Sequence, residues 1–299
     1  MNRKGGTLVE TKIVKIGSLT LESGIVLDQV QLAYEWAQKD NAPVVLVSHA
    51  LTDNHKVIGD KKNPGWWDGL IGEGKSIDSN DFSIISFNVL GGCGGSTGPL
   101  SINSQTNKPY QDAFPEITIR DMVHAERKAL SVLGIDRLHT IIGGALGGMR
   151  VLEWGILYPN DMDLLIPIAV TPSTPEVKSN LHLLGQEITK GHEFNNYSTL
   201  LRAMSTHDIG RGRGGIKEST KRIKAKTVML AFTRDLISPP DVIRSFSHLL
   251  SNSSFCLINT RFGHKGFLTE YAKWGLLIKQ SLEVATCRQS KSLYSVSAL

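Results

Sequence analysis

No apolar run in this 299-residue chain approaches the roughly 20 residues a helix needs to cross a bilayer. The N-terminal stretch MNRKGGTLVETKIVKIG has basic residues but no apolar segment behind them, so no secretory leader is expected. Cysteine is scarce. Cys93, Cys256 and Cys287 are widely spaced and form neither a metal-ligand pattern nor a disulfide framework, which suits a reducing compartment. Internal repeats are absent too. Neither charge sign dominates: 33 Lys+Arg stand against 28 Asp+Glu, a formal +5. The basic residues are dispersed, with small clusters at Lys56 to Lys62, Arg211 to Arg213 and Lys217 to Lys226. Dispersed charge reads as solvated faces; a lesser alternative is attraction of an anionic, nucleotide-bearing small molecule. The expectation is a cytoplasmic protein with no nucleic-acid partner, no membrane partner and no metal.

What is present is an ordinary globular composition, 40% hydrophobic, with a clear alternation of elements. VVLVSH (44–49), FSIISF (82–87), HTIIGG (139–144), LLIPIAV (164–170), TVMLAF (227–232) and SFCLINT (254–260) read as strands. Most are continuous apolar runs, the mark of strands buried on both faces of a parallel sheet. Helical spacing runs over Thr118 to Leu133, ending at Gly134, and over Leu146 to Tyr158, stopping before Pro159. Pro240 to Leu250 starts with a proline suited to a first turn, and Gly266 to Leu282 is a further helix. Two early strands followed by six more with helices between them predict an α/β architecture with right-handed crossovers. The core is expected over about 12–171 and 226–285. A polar insertion over about 172–225 reads as a cap, and a Ser-rich tail over 288–299 as frayed. The Gly-, Asn- and Ser-rich stretch 60–110, with NPGWWDG and LGGCGGSTGPLSIN, reads as loops that carry function.

The most informative segment is TIIGGALGGMRVLEW (140–154). An apolar strand runs into a glycine-rich turn and then a helix, the context of a nucleophile elbow G-x-S-x-G. The strained turn needs small neighbours, which Gly143, Gly144, Gly147 and Gly148 supply. The nucleophile position is residue 145, and it is alanine. Glycine-rich turns also cradle phosphates in dinucleotide folds, but that reading wants the turn early in the chain and an acidic residue about 20 positions on.

An elbow of this kind is followed in the chain by an acid and then a histidine. AFTRDLISPPD (231–241) places Asp235 just past one strand, and INTRFGHKGFL (258–268) places His264 just past the next. The histidine would act as general base and the aspartate would hold its tautomer. His55, His124, His139, His192 and His248 have no comparable context. An oxyanion hole would draw one donor from Leu146, the residue after the nucleophile position, and another from the loop VLVSHALTDNH, with Leu51 as the candidate.

HALTDNH, PGWWDGLIGEGKSID, NVLGGCGGSTGP, FPEITIRDMV and GGALGGMRVLEW, then STHDIGRGRGG, RDLISPPD and GHKGFL, resemble the homoserine O-acetyltransferase family. The resemblance implies an α/β-hydrolase fold: a mostly parallel sheet with helices on both faces and a helical cap. It also implies ping-pong transfer of an acetyl group from acetyl-CoA, through an acyl-serine, to a hydroxyl acceptor in methionine biosynthesis. No cofactor beyond that donor is implied, and homodimers are usual. By motif, Ala145 falls on the serine, Asp235 on the acid, His264 on the base, and Leu51 and Leu146 on the oxyanion hole.

Four departures accompany the resemblance. Alanine replaces the nucleophile. Lys265 follows His264 where a carboxylate is usual, so a cation stands at a substrate-binding position. Gly185 falls where an arginine would grip a substrate carboxylate. The cap is short between about Gly191 and Tyr197. Three readings follow: a family acyltransferase inactive as it stands, a natural pseudoenzyme or binding protein on the same scaffold, or a diverged carboxylic-ester hydrolase.

Overall fold

Eight strands form one sheet: β1 (Val9–Thr20), β2 (Val26–Ala37), β3 (Val44–Ser48), β4 (Ser83–Phe87), β5 (Leu138–Gly144), β6 (Met162–Ile168), β7 (Lys226–Phe232) and β8 (Ser253–Ile258). The computed structural model describes residues 8–174 and 194–296, with side chains for 8–174 and 197–286. Gly185 and residues 191–193 of the short cap segment therefore lie outside the described residues. The spatial order is β1-β2-β4-β3-β5-β6-β7-β8. β1–β2 and β2–β4 pair antiparallel, and every other neighbouring pair is parallel. This is the α/β-hydrolase architecture expected from the sequence.

Burial follows strand position. Every residue of β4 and β5 is buried, as a strand covered by helices on both faces demands. β1 alternates exposed and buried residues, because one of its faces meets solvent. β8 is the sheet edge, and its apolar run is only half covered, leaving Cys256 at intermediate exposure. Two small ribbons, Ile71–Gly72 with Ile77–Asp78 and Ile102–Asn103 with Lys108–Pro109, interrupt the stretch expected as loops.

α1 (Ile119–Val132) begins at a capping box. The Thr118 side chain accepts from Asp121 N, and the Asp121 carboxylate accepts from Thr118 N at 2.8 Å. It stops where Gly134 adopts φ 73°, a left-handed conformation that costs glycine little. α2 (Leu146–Leu157) is buried on nearly all sides. α3 (Phe194–Ser205) and α4 (Ile216–Thr220) lie in the insertion. α5 (Pro240–Ser247) ends three residues before the expected Leu250.

The helix expected over Gly266–Leu282 is broken into α6 (Gly266–Thr269) and α7 (Gly275–Val296). The intervening turn drives Trp274 into the core, where it meets Trp67 and Phe232 edge-on at 5.9 and 6.4 Å. Burying that indole outweighs continuing the hydrogen-bond ladder. α7 then carries the backbone to Val296, past the frayed tail expected from about 288. After Gly275 the chain has no glycine or proline to stop a helix, and each further residue adds one bond. Among the described residues no helix is long and apolar enough to cross a membrane, and no group of three His, Cys, Asp or Glu could hold a metal ion.

Candidate active site

Because β3 and β5 to β8 run parallel, the loops after β5, β7 and β8 leave from the same edge of the sheet. The first is the elbow. Ala145 has φ 50° and ψ −114°, donates its N–H to Ile168 O at 3.0 Å and accepts from Met149 N at 3.0 Å. That backbone costs a non-glycine residue about 1–3 kcal/mol. The surroundings impose it. A Cβ on Gly147 would sit 2.0 Å from Ser48 O, and one on Gly143 would sit 2.6 Å from the same atom. The glycines on either side of residue 145 thus let the end of β3 lie directly on the elbow. The chain keeps the strain although a methyl group gains nothing chemically from it.

The acid and base meet in direct contact. His264 Nδ1 lies 2.8 Å from Asp235 Oδ2, with the Asp235 side chain fully buried and that of His264 14% exposed. Asp235 Oδ1 accepts from Ile237 N at 2.9 Å and Ser238 N at 2.8 Å, which holds the carboxylate in place. With Nδ1 donating to Asp235, the Nε2 lone pair of a neutral imidazole is left to accept a proton. Phe267 joins this pair to the elbow. Its ring stands edge-on to His264 at 5.5 Å, and a Cβ on Gly144 would come 2.6 Å from the same ring. The structure therefore brings the loops of Ala145, Asp235 and His264 together. Lys265 is exposed one residue beyond His264, with its N–H donated to Phe262 O at 3.2 Å.

Leu146 is the first residue of α2, so its N–H has no acceptor within the helix and lies at the positive end of the helix dipole. Leu51 is buried in the turn after β3. What holds that turn is a set of residues the sequence reading passed over. His49 Nδ1 donates to Ala50 O at 2.7 Å while Nε2 accepts from Val89 N at 3.0 Å, so the ring is neutral. Burial, with Arg150 next, pushes its pKa well below the ordinary histidine value. Arg150, fully buried on α2, donates to His49 O at 2.6 Å and forms an ion pair with Glu126, whose other oxygen accepts from Trp154 Nε1 at 2.8 Å. The trace of this in the sequence is an arginine inside a mostly apolar helix whose only other charge is Glu153. Arg150→Met is expected to destabilise the fold by about 3–5 kcal/mol, because Glu126 stays buried without its cation. Urea melts of the two proteins check this; the idea fails if they differ by under 1 kcal/mol.

Other sequence motifs prove to be struts. Glu35, buried on β2, accepts from Val57, Ile58 and Gly59 N at 2.7–2.9 Å; burial pushes its carboxyl up against the pull of those amides. In NPGWWDG, Trp66 Nε1 donates to Asn54 O at 2.9 Å and Trp67 Nε1 to Phe267 O at 3.1 Å, linking the β3 loop to the His264 loop. Within the β3 loop, burial lifts Asp53 to about 6 and lowers His55 to about 4.

STHDIGRGRGG likewise anchors the insertion. Arg213 and Arg120 both reach Glu153, at 2.8 and 3.4 Å, and Arg120 and Arg211 both reach Glu22. His207 is buried beside them, its backbone N–H donated to Met204 O, and burial, then the charges of Arg120 and Arg213, pushes the pKa of its ring down to about 3. A histidine depressed in the folded state keeps its full contribution above its unfolded pKa of about 6.5 and loses it as pH falls. Stability should therefore drop by up to about 1.4 kcal/mol per pH unit between about pH 6 and 3 on account of His207 alone. Urea midpoints at pH 7 and pH 5 for the parent and His207→Gln test this. A parent and variant with the same pH slope would overturn it.

Comparison with known proteins agrees with this fold. A family model described as alpha/beta hydrolase fold matches residues 43–179. A homoserine O-acetyltransferase of Mycobacterium sp. (strain KMS) is 32% identical over 359 aligned positions, covering 92% of this chain and 95% of the relative. The chain belongs to the homoserine O-acetyltransferase family. The aligned span exceeds the 299 residues of this chain, so the relative carries segments that this family member lacks. Among solved structures, homoserine O-acetyltransferase from Staphylococcus aureus is 28% identical with a TM-score of 0.78, covering 92% of this chain and 95% of that one. Esterase E22 has a TM-score of 0.82 at 23% identity, covering 92% and 100%, a likeness of fold.

Proposed function

We propose that this member of the homoserine O-acetyltransferase family has an acyl-transfer site arrested at its nucleophile. The Asp235–His264 pair, held beside a strained residue 145, carries the reading. In a serine-bearing site of this build, His264 Nε2 would take the hydroxyl proton as the oxygen attacks the acyl carbonyl of acetyl-CoA. The N–H groups of Leu51 and Leu146 would receive the developing oxyanion, and His264 would return the proton to the leaving thiolate. An acceptor hydroxyl would then attack the acyl-serine by the same route. Ala145 offers no oxygen, so the chain binds donor and acceptor without forming a covalent intermediate. The acceptor is an amino-acid-like alcohol, taken at a site where the cation of Lys265 stands beside His264 in place of the usual carboxylate. A homodimer is the expected assembly.

The test is intact-protein mass spectrometry after incubation with acetyl-CoA or a p-nitrophenyl ester. The parent should show no acetyl adduct and Ala145→Ser a stoichiometric one. Acylation of the parent sinks the reading of residue 145. A folded Ala145→Ser protein that stays unmodified by both donors favours instead a binding protein on this scaffold.

A further inference from the structure

The loops leaving β7 and β8, with the turn after α6, also line an open surface depression of about 410 Å³, formed by Arg234, Asn259, Thr260, Arg261, Glu270 and Lys273. Three cations face one carboxylate there, and that carboxylate is engaged. One oxygen of Glu270 takes the Thr260 hydroxyl and the other lies 2.7 Å from Lys273 Nζ, which also donates to Asn259 O at 3.0 Å. Arg234 and Arg261 remain. Both are exposed, Arg261 lying over Phe262 at 5.0 Å, and neither forms an ion pair among the described residues.

The backbone holds these two guanidinium-bearing residues as neighbours. Thr233 Oγ1 donates to Thr260 O at 2.8 Å and accepts from Thr260 N at 2.9 Å, so the residues just before Arg234 and Arg261 are cross-linked. Arg234 sits at φ 62°, uncommon for arginine, and a Cβ on Gly263 would lie 2.6 Å from Arg234 O. At this corner Asp235 turns inward to His264 while Arg234 stays outside. Two like charges held together at the rim of a hollow repel each other until an anion arrives. A guanidinium presents a planar fork of donors that matches phosphate, and the hollow is large enough for more than a single small anion.

We infer that this depression binds a phosphate-bearing ligand. Resting on the acyl-transfer reading, it takes the anionic nucleotide end of the acyl donor. Isothermal titration of the parent chain with CoA, inorganic pyrophosphate and pantetheine tests this against two variants. One is Arg234→Gln/Arg261→Gln. The other, Lys61→Gln/Lys62→Gln, removes the same charge from an exposed loop elsewhere.

CoA and pyrophosphate should bind the arginine variant at least about tenfold more weakly, and the lysine variant like the parent. Pantetheine, which lacks phosphate, should bind all three alike. Affinities for CoA and pyrophosphate within twofold of the parent in the arginine variant would overturn the inference, as would an equal loss in the lysine variant. Acetyl-pantetheine separates the two readings. If Ala145→Ser forms no acyl-protein with it while pyrophosphate binding still needs the arginines, the phosphate site stands and its link to an acyl donor falls.

Discussion

Ala145→Ser is expected to raise hydrolysis of a short p-nitrophenyl ester by between about 10³- and 10⁶-fold. The upper figure is what removal of a triad nucleophile can cost, and the parent keeps only the residual acceleration of its oxyanion donors and binding surface. The gain should be this large because the position needs no rebuilding. Residue 145 already has the elbow backbone, with φ 50° and ψ −114°. Gly143, Gly144 and Gly147 already admit Ser48 and Phe267 at distances no Cβ would allow. A serine adds one oxygen to a methyl group and little else. A pre-steady-state burst equal to the enzyme concentration would show the covalent route. A well-folded variant with less than a tenfold gain would mean that the imidazole does not reach residue 145, and the catalytic assignment would fail with it.

Within that serine background, Asp235→Asn should lower kcat by about 10⁴-fold while leaving the melting temperature within a few degrees. The carboxylate does two separable things. Oδ1 accepts from the backbone of Ile237 and Ser238, which an amide oxygen can still do. Oδ2 accepts from His264 Nδ1, which the amide nitrogen cannot. The variant therefore keeps the loop and flips the histidine to the wrong tautomer. His264→Ala in the same background should cost as much, and the double variant little more than either single one, because the residues act as one unit. Additive losses would show that Asp235 supports the loop and not the histidine.

Much of the site was legible in order and spacing. A continuous apolar strand, four glycines and a helix mark an elbow whatever stands at its apex. An Asp and a His just past the last two apolar runs fall into place once those runs are parallel strands. The sequence also made plain that residue 145 cannot attack a carbonyl. Its limits show in particular elements. Helical spacing continued through 270–274, and only the burial of Trp274 against Trp67 broke the helix. The last helix outran its expected end because the absence of glycine and proline weighed more than serine content.

What the sequence by itself determined was the alternation of strands and helices, the sharp turn at residue 145, and the chemical poverty of its methyl group. These depend on periodicity, on glycine's missing side chain and on atoms that are or are not there, all properties of short segments. Only the tertiary structure decided that Arg150 braces His49, that Trp67 ties the β3 loop to the histidine loop, and that Arg234 and Arg261 share one hollow. Those partners lie between 27 and 200 positions apart in the chain. Which of many distant residues meet is set by sheet order and packing, and no local pattern carries that information.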